Sequence, residues 1–85
     1  MKVIKFFQKP CVPCNMLEDM LNGLGVKPDE SYNVKEEDGM EKAGEFGVIK
    51  TPMLILLDDN GKEVQRYQGV GQTKVREILT KRGLI

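Results

Sequence analysis

Histidine is absent from this 85-residue chain, and cysteine occurs only twice. A structural zinc site takes four ligands, usually cysteine or histidine, so one copy of the chain cannot close such a site with its usual donors. Charge of one sign is lacking too: 13 basic residues balance 13 acidic ones. Bulk electrostatic attraction to nucleic acid or to an anionic membrane is thereby disfavoured. No long apolar run exists; the longest, Met53 to Leu57, is far too short to cross a bilayer. Met1 leads almost directly into a strand-like segment, without the apolar stretch and cleavage site of a secretory signal. A reducing, cytoplasmic setting is therefore expected, one in which a permanent structural disulfide is not. Internal repeats, linkers and low-complexity segments are missing as well. The length accommodates a single domain, residues 1–85. Such a domain buries only about 60 to 65% of the surface of its unfolded chain, so its core must be efficient.

What is present falls into seven segments. KVIKFF, residues 2–7, is β-branched and aromatic, the composition of a buried strand. Pro10 and the cysteines punctuate the chain, and then the period changes. Met16, Leu17, Met20, Leu21 and Leu24 recur at helical spacing, with Glu18, Asp19 and Asn22 opposite and Gly23 or Gly25 to end the helix. SYNV, 31–34, is a short strand, and Met40, Ala43 and Phe46 mark a second helix with a solvated charged face. MLILLD, 53–58, reads as a buried strand, joined to KEVQRYQ by a DDNG turn in which Asn60 and Gly61 both tolerate positive φ. After Gly69 and Gly71, Thr73 is placed to cap a last helix carrying Val75, Ile78 and Leu79. The order β-α-β-α-β-β-α predicts an α/β fold: a four-stranded mixed sheet flanked by helices.

The two cysteines sit in KPCVPCNM, residues 9–16, where a strand hands over to a helix. A lone C-x-x-C is compatible with metal ligation, a structural staple or dithiol exchange. A dimer pooling two pairs around zinc or an iron–sulfur cluster is the metal alternative. Position favours exchange. Cys11 lies at or just before the helix N-terminus, where unpaired N–H groups and the positive end of the dipole stabilise a thiolate. Cysteine pKa values in such places fall from about 8.5 to roughly 3.5–7.5. Lys9, two residues upstream, adds a favourable charge, and Pro13 suits the first turn because its missing N–H has no intrahelical partner. Cys14 is one turn further on, within reach of a mixed disulfide at Cys11. Cys11 is thus expected to attack and Cys14 to resolve.

C-x-P-C between a strand and an amphipathic helix resembles the thioredoxin family. So does FGVIKTPMLILLDDNGKEVQRYQGVG, with its Gly-Val turn, residue-proline step, apolar strand, Asn-Gly turn and return strand closing on glycine. The two blocks span most of the chain from Val3 to Leu79. The resemblance implies a minimal thioredoxin fold with strand order 2-1-3-4, lacking the extra N-terminal strand and helix of longer members. It implies that Pro52 follows a cis bond facing the cysteines, that Thr51 offers backbone hydrogen bonds to a substrate strand, and that Gly69, Val70 and Gly71 form a third loop at the site. Val12, Pro13, Thr51, Pro52 and Val70 are then the apolar rim for an extended substrate. The implied activity is reduction of protein disulfides by a monomer that needs no cofactor and no metal. A thioredoxin reductase would supply the electrons, and ribonucleotide reductase would be a substrate by family habit.

Two departures stand out. Pro10 occupies the place of the family's usual tryptophan, and Lys5 the place of a buried acid that assists the second thiol. By strand alternation Lys5 shares a face with Val3 and Phe7, so it is expected either to snorkel to an edge or to require a carboxylate partner. The short length and the KPC approach also resemble glutaredoxins and the glutaredoxin-like electron donors of ribonucleotide reductase. The motif interior Val12-Pro13 and Lys50-Thr51-Pro52 differ from the aromatic residue and Thr-Val-Pro usual there, which favours a protein substrate over glutathione.

Overall fold

Strand β1 (Lys2–Phe7) is the axis of the molecule, because its alternating side chains serve both faces of the sheet. The structure, a computed structural model, describes all residues 1–85. β1 pairs in parallel with β2 (Glu30–Asn33) and antiparallel with β3 (Met53–Leu57), and β3 pairs antiparallel with β4 (Glu63–Gln68). The sheet order is therefore β2-β1-β3-β4, as expected. Helices α1 (Val12–Leu24) and α3 (Gln72–Arg82) cover one face and α2 (Glu37–Phe46) the other.

On the first face Val3, Leu54 and Leu56 meet Leu17 and Leu21 of α1 and Val75, Ile78 and Leu79 of α3. On the second, Ile4, Phe6, Ile55 and Leu57 meet Ala43 of α2, with Tyr32 and Phe46 packed beside the Phe6 ring. β3 is buried along its whole length, which is why it reads as an unbroken apolar run rather than an alternating one.

Several local expectations shift. Met16, expected on the apolar face of α1, is exposed; of the two glycines expected to end the helix, Gly25 does so, at φ 69°. β2 begins one residue earlier than SYNV. In α2, Met40 faces solvent while Gly39 and Ala43 are buried. The phase of the helix is set by Gly39, whose Cα lies against the Asn33 carbonyl so closely that a Cβ there would collide with it. In the β3–β4 turn only Gly61 takes positive φ; Asn60 does not. The Asp58 carboxylate holds that turn by accepting the N–H groups of Asn60 and Lys62, each at 2.9 Å. Thr73 does not cap α3: the helix already starts at Gln72, so the cap is Gly71, which has no side chain to accept a first-turn N–H and whose own N–H is donated to the Tyr67 hydroxyl at 3.0 Å.

Asp29 ties three elements together just before β2. It accepts the Val3 N–H at 2.7 Å and two Arg82 guanidinium bonds at 2.8 Å, linking β1 and the end of α3. The Arg82 guanidinium holds the Asp29 carboxyl below the usual carboxylate range, with the Val3 N–H helping. A group depressed in the folded state stabilises that state above its unfolded pKa, about 3.9, and loses the effect as pH falls through the folded value. Asp29→Asn should therefore lower the urea midpoint at pH 7, with the gap to the parent protein closing as pH is taken below about 4. Gly39→Ala provides a second check. In an open helix the change would add up to about 1 kcal/mol of stability; here it should cost about 1–3 kcal/mol through the clash with β2, read from the same urea curves.

Candidate active site

The end of β1 and the start of α1 are separated by only four residues, which brings Cys11 to the head of the helix. Cys11 is the N-cap, with extended backbone at φ −162° and ψ 104°, and its Sγ accepts the Cys14 N–H at 3.2 Å. A sulfur thus takes the place that a serine or aspartate oxygen occupies at an ordinary helix start. Pro13 stands in the first turn, where its missing N–H removes no helix bond. Cys11 and Cys14 form a disulfide, Cα to Cα 5.2 Å, so this is the oxidised form. The two sulfurs are not equivalent: Cys14 is 5% exposed, packed inside α1, whereas Cys11 is partly open to solvent.

Two more loops meet the disulfide. The peptide bond before Pro52 is cis, as the resemblance implies, and the bond before Pro10 is cis as well. Thr51 places its Oγ1 3.9 Å from Cys11 Sγ. Gly69, at φ 131°, donates its N–H to the Pro52 carbonyl at 3.1 Å and so fastens the Gly69–Gly71 loop to the proline loop. Val12 and Pro13 are exposed beside the cysteines, and Thr51 is half-exposed. The other two residues of the expected rim differ. The Pro52 ring is fully buried, and Val70 is half-buried with its side chain packed on the α1–α3 core. Proline is drawn inward because it opens β3, the strand buried on both faces.

An apolar surface at this end of the molecule was missed in the sequence. Ile49 is 90% exposed, two residues before Thr51. Its neighbour Val48 packs against the α2 core, and in so short a stretch between Gly47 and Pro52 only one of two adjacent apolar side chains can face inward. That adjacency was the available signal.

Lys9 is exposed at the approach to the motif. Lys5 does not snorkel. It is buried beneath the motif, its ammonium paired with the Glu18 carboxylate from α1 and 5.1 Å from the centre of the Phe7 ring. Glu18, placed opposite the apolar positions of α1, turns one oxygen to this lysine while half of its side chain stays exposed. Strand alternation put Lys5 on the α1 side of the sheet; the helix supplied the carboxylate such a burial requires.

Over 79 residues the chain is 37% identical to the SPbeta prophage-derived thioredoxin-like protein YosR of Bacillus subtilis, covering 93% of this chain and 95% of that protein. The chain belongs to the thioredoxin-like family. It is also 37% identical over 70 residues to the thioredoxin of Chlamydia caviae, covering 80% of this chain and 68% of that one. Among solved structures, thioredoxin NaTrxh from Nicotiana alata superposes with TM-score 0.78 at 31% identity, over 93% of this chain and 70% of that one. No protein-family model matches the sequence. This thioredoxin-like chain combines the family fold with its redox-active disulfide centre, built on Cys11 and Cys14.

The unequal exposure has a direct readout. In the dithiol form at pH 7, iodoacetamide should alkylate Cys11 at least about tenfold faster than Cys14, as resolved by peptide mass spectrometry over time.

Proposed function

We propose that this thioredoxin-like protein reduces disulfides in other proteins, with Cys11 as the attacking thiolate and Cys14 as the resolving thiol. The observation that carries the reading is the seat of Cys11 at the N-cap of α1, its sulfur 3.2 Å from the Cys14 N–H and partly open to solvent, above a buried Cys14. Sulfur charge at that seat is met by a backbone donor and by the positive end of the helix dipole.

Two steps follow from the geometry. The Cys11 thiolate attacks one sulfur of an extended substrate segment, and the other substrate sulfur leaves as a thiolate. Cys14 then attacks Cys11 Sγ, expels the first substrate sulfur and restores the internal disulfide. Val12, Pro13, Thr51 and Ile49 offer the surface on which such a segment would lie, and the Thr51 backbone offers hydrogen bonds to it. The exchange requires no cofactor. A thioredoxin reductase is the proposed electron source, a monomer in the cytoplasm the proposed working form, and a disulfide-containing enzyme such as ribonucleotide reductase a proposed substrate.

Reduction of insulin with dithiothreitol as electron donor tests this. Cys11→Ser should abolish turnover, and Cys14→Ser should accumulate a mixed disulfide visible on a non-reducing gel; normal turnover by Cys11→Ser would sink the reading. The Cys11–Cys14 potential should lie at or below the cytosolic glutathione poise of about −220 to −260 mV, and a value well above it would make the protein an oxidant or isomerase instead. Recycling by glutathione and its reductase, in place of NADPH and thioredoxin reductase, would assign the chain to glutaredoxin chemistry.

A further inference from the structure

Resolution of a mixed disulfide requires Cys14 to lose its proton, because the thiolate and not the thiol is the nucleophile. Cys14 is 5% exposed, so direct loss to bulk water is hindered. A cleft of about 360 Å³ runs beside it, and four of its lining residues are titratable or charged: Lys5 from β1, Lys9 from the loop before α1, and Cys14 and Glu18 from α1. The other lining residues, including Ser31 of β2, are neutral. An ammonium has no lone pair with which to accept a proton. Glu18 is then the one proton acceptor in the cleft, and its place four residues after Cys14 puts both on the same side of the helix.

We propose that Glu18 accepts the Cys14 proton during resolution, and that Lys5 is the positioning residue that holds Glu18 in the cleft and then faces the new thiolate. This rests on the reductase reading above. Charge and atoms balance within the cleft. Before transfer, the Lys5 ammonium is matched by the Glu18 carboxylate and Cys14 is neutral. After transfer, the same ammonium is matched by the Cys14 thiolate and Glu18 carries the proton. No net charge is buried at either stage, which avoids the large cost of an unpaired ion. The thiolate pair then forms the bond to Cys11 Sγ, and the electrons of the Cys11–substrate bond leave with the substrate sulfur. Cys11 and Cys14 end oxidised, the substrate reduced, and Glu18 releases its proton through solvent to the departing sulfur.

Because the proton moves between two groups of the same molecule, resolution should not depend on pH across the neutral range. The test is rapid mixing of the reduced protein with excess 5,5′-dithiobis(2-nitrobenzoate). A first phase, proportional to reagent, reports Cys11; a second, independent of reagent concentration, reports attack by Cys14. In the parent protein the second phase should be flat between about pH 6 and 8. In Glu18→Gln it should climb about tenfold per pH unit, following the free thiolate fraction. Glu18→Asp, which keeps the carboxylate, should restore a flat profile at a lower rate, and Lys5→Met should be slower but still flat. A parent-like flat profile in Glu18→Gln would overturn the proposal, and so would a parent profile that itself rises with pH. A parent protein with no second phase would instead overturn the assignment of Cys14 as resolving thiol, so the two failures are distinct.

Discussion

Cys11 closes the N-terminus of α1 with its own sulfur, and the rest of the site is arranged around that one capping bond. The bond exists because α1 is clamped in place by Leu17 and Leu21 against Val3, Leu54 and Leu56 of the sheet. With the helix fixed, its first turn presents N–H groups to whatever occupies the cap. In this chain the occupant is a redox sulfur, so a structural requirement of every helix becomes an electrostatic device. Packing on the inner face also buries Cys14 while leaving Cys11 at the edge. The asymmetry between two chemically identical side chains is thus a consequence of helix periodicity.

Placement of the other loops follows from the burial of β3. Its five residues are all inside, and Pro52 is drawn in with them, while the Thr51 side chain stays at the surface with its Oγ1 3.9 Å from Cys11 Sγ. The Gly69–Gly71 loop is fastened to the same proline through the Gly69 N–H and to β4 through the Tyr67 hydroxyl. The proline and glycine loops are thus joined at one end of the sheet by a backbone bond, and the packing of α1 sets the cysteine motif beside them. That leaves Val12, Pro13 and Ile49 free at the surface.

Beneath them lies the feature that most separates this chain from the pattern it resembles. A lysine on the central strand is tolerated because α1 returns a carboxylate to it, with the aromatic ring of Phe7 beside its ammonium. Truncating Glu18 would leave the buried Lys5 ammonium without its carboxylate, so the lysine depends on the helix. Their shared cleft reaches Cys14. The charges therefore sit beside the buried sulfur of the site as well as within the fold.

Much of this was legible in the linear chain. Periodicity located all seven elements, the strand order followed from the resemblance, and the position of the cysteines between a strand and a helix announced their chemistry. What was misread shares one cause. Met16, Met40 and Thr73 each obey a local rule, apolar spacing or capping preference, that the folded chain overrode: Leu17 and Leu21 take the inner face of α1, Gly39 packs on Asn33 and turns Met40 outward, and α3 starts before Thr73. The sequence alone determined which residues could react, because sulfur type, spacing and secondary structure are local properties. Only the tertiary structure decided what surrounds them: that Pro52 is hidden, that Ile49 is bare, and that Glu18 turns inward to Lys5. Those outcomes depend on which surfaces meet, and partners distant in sequence are chosen by packing rather than by pattern.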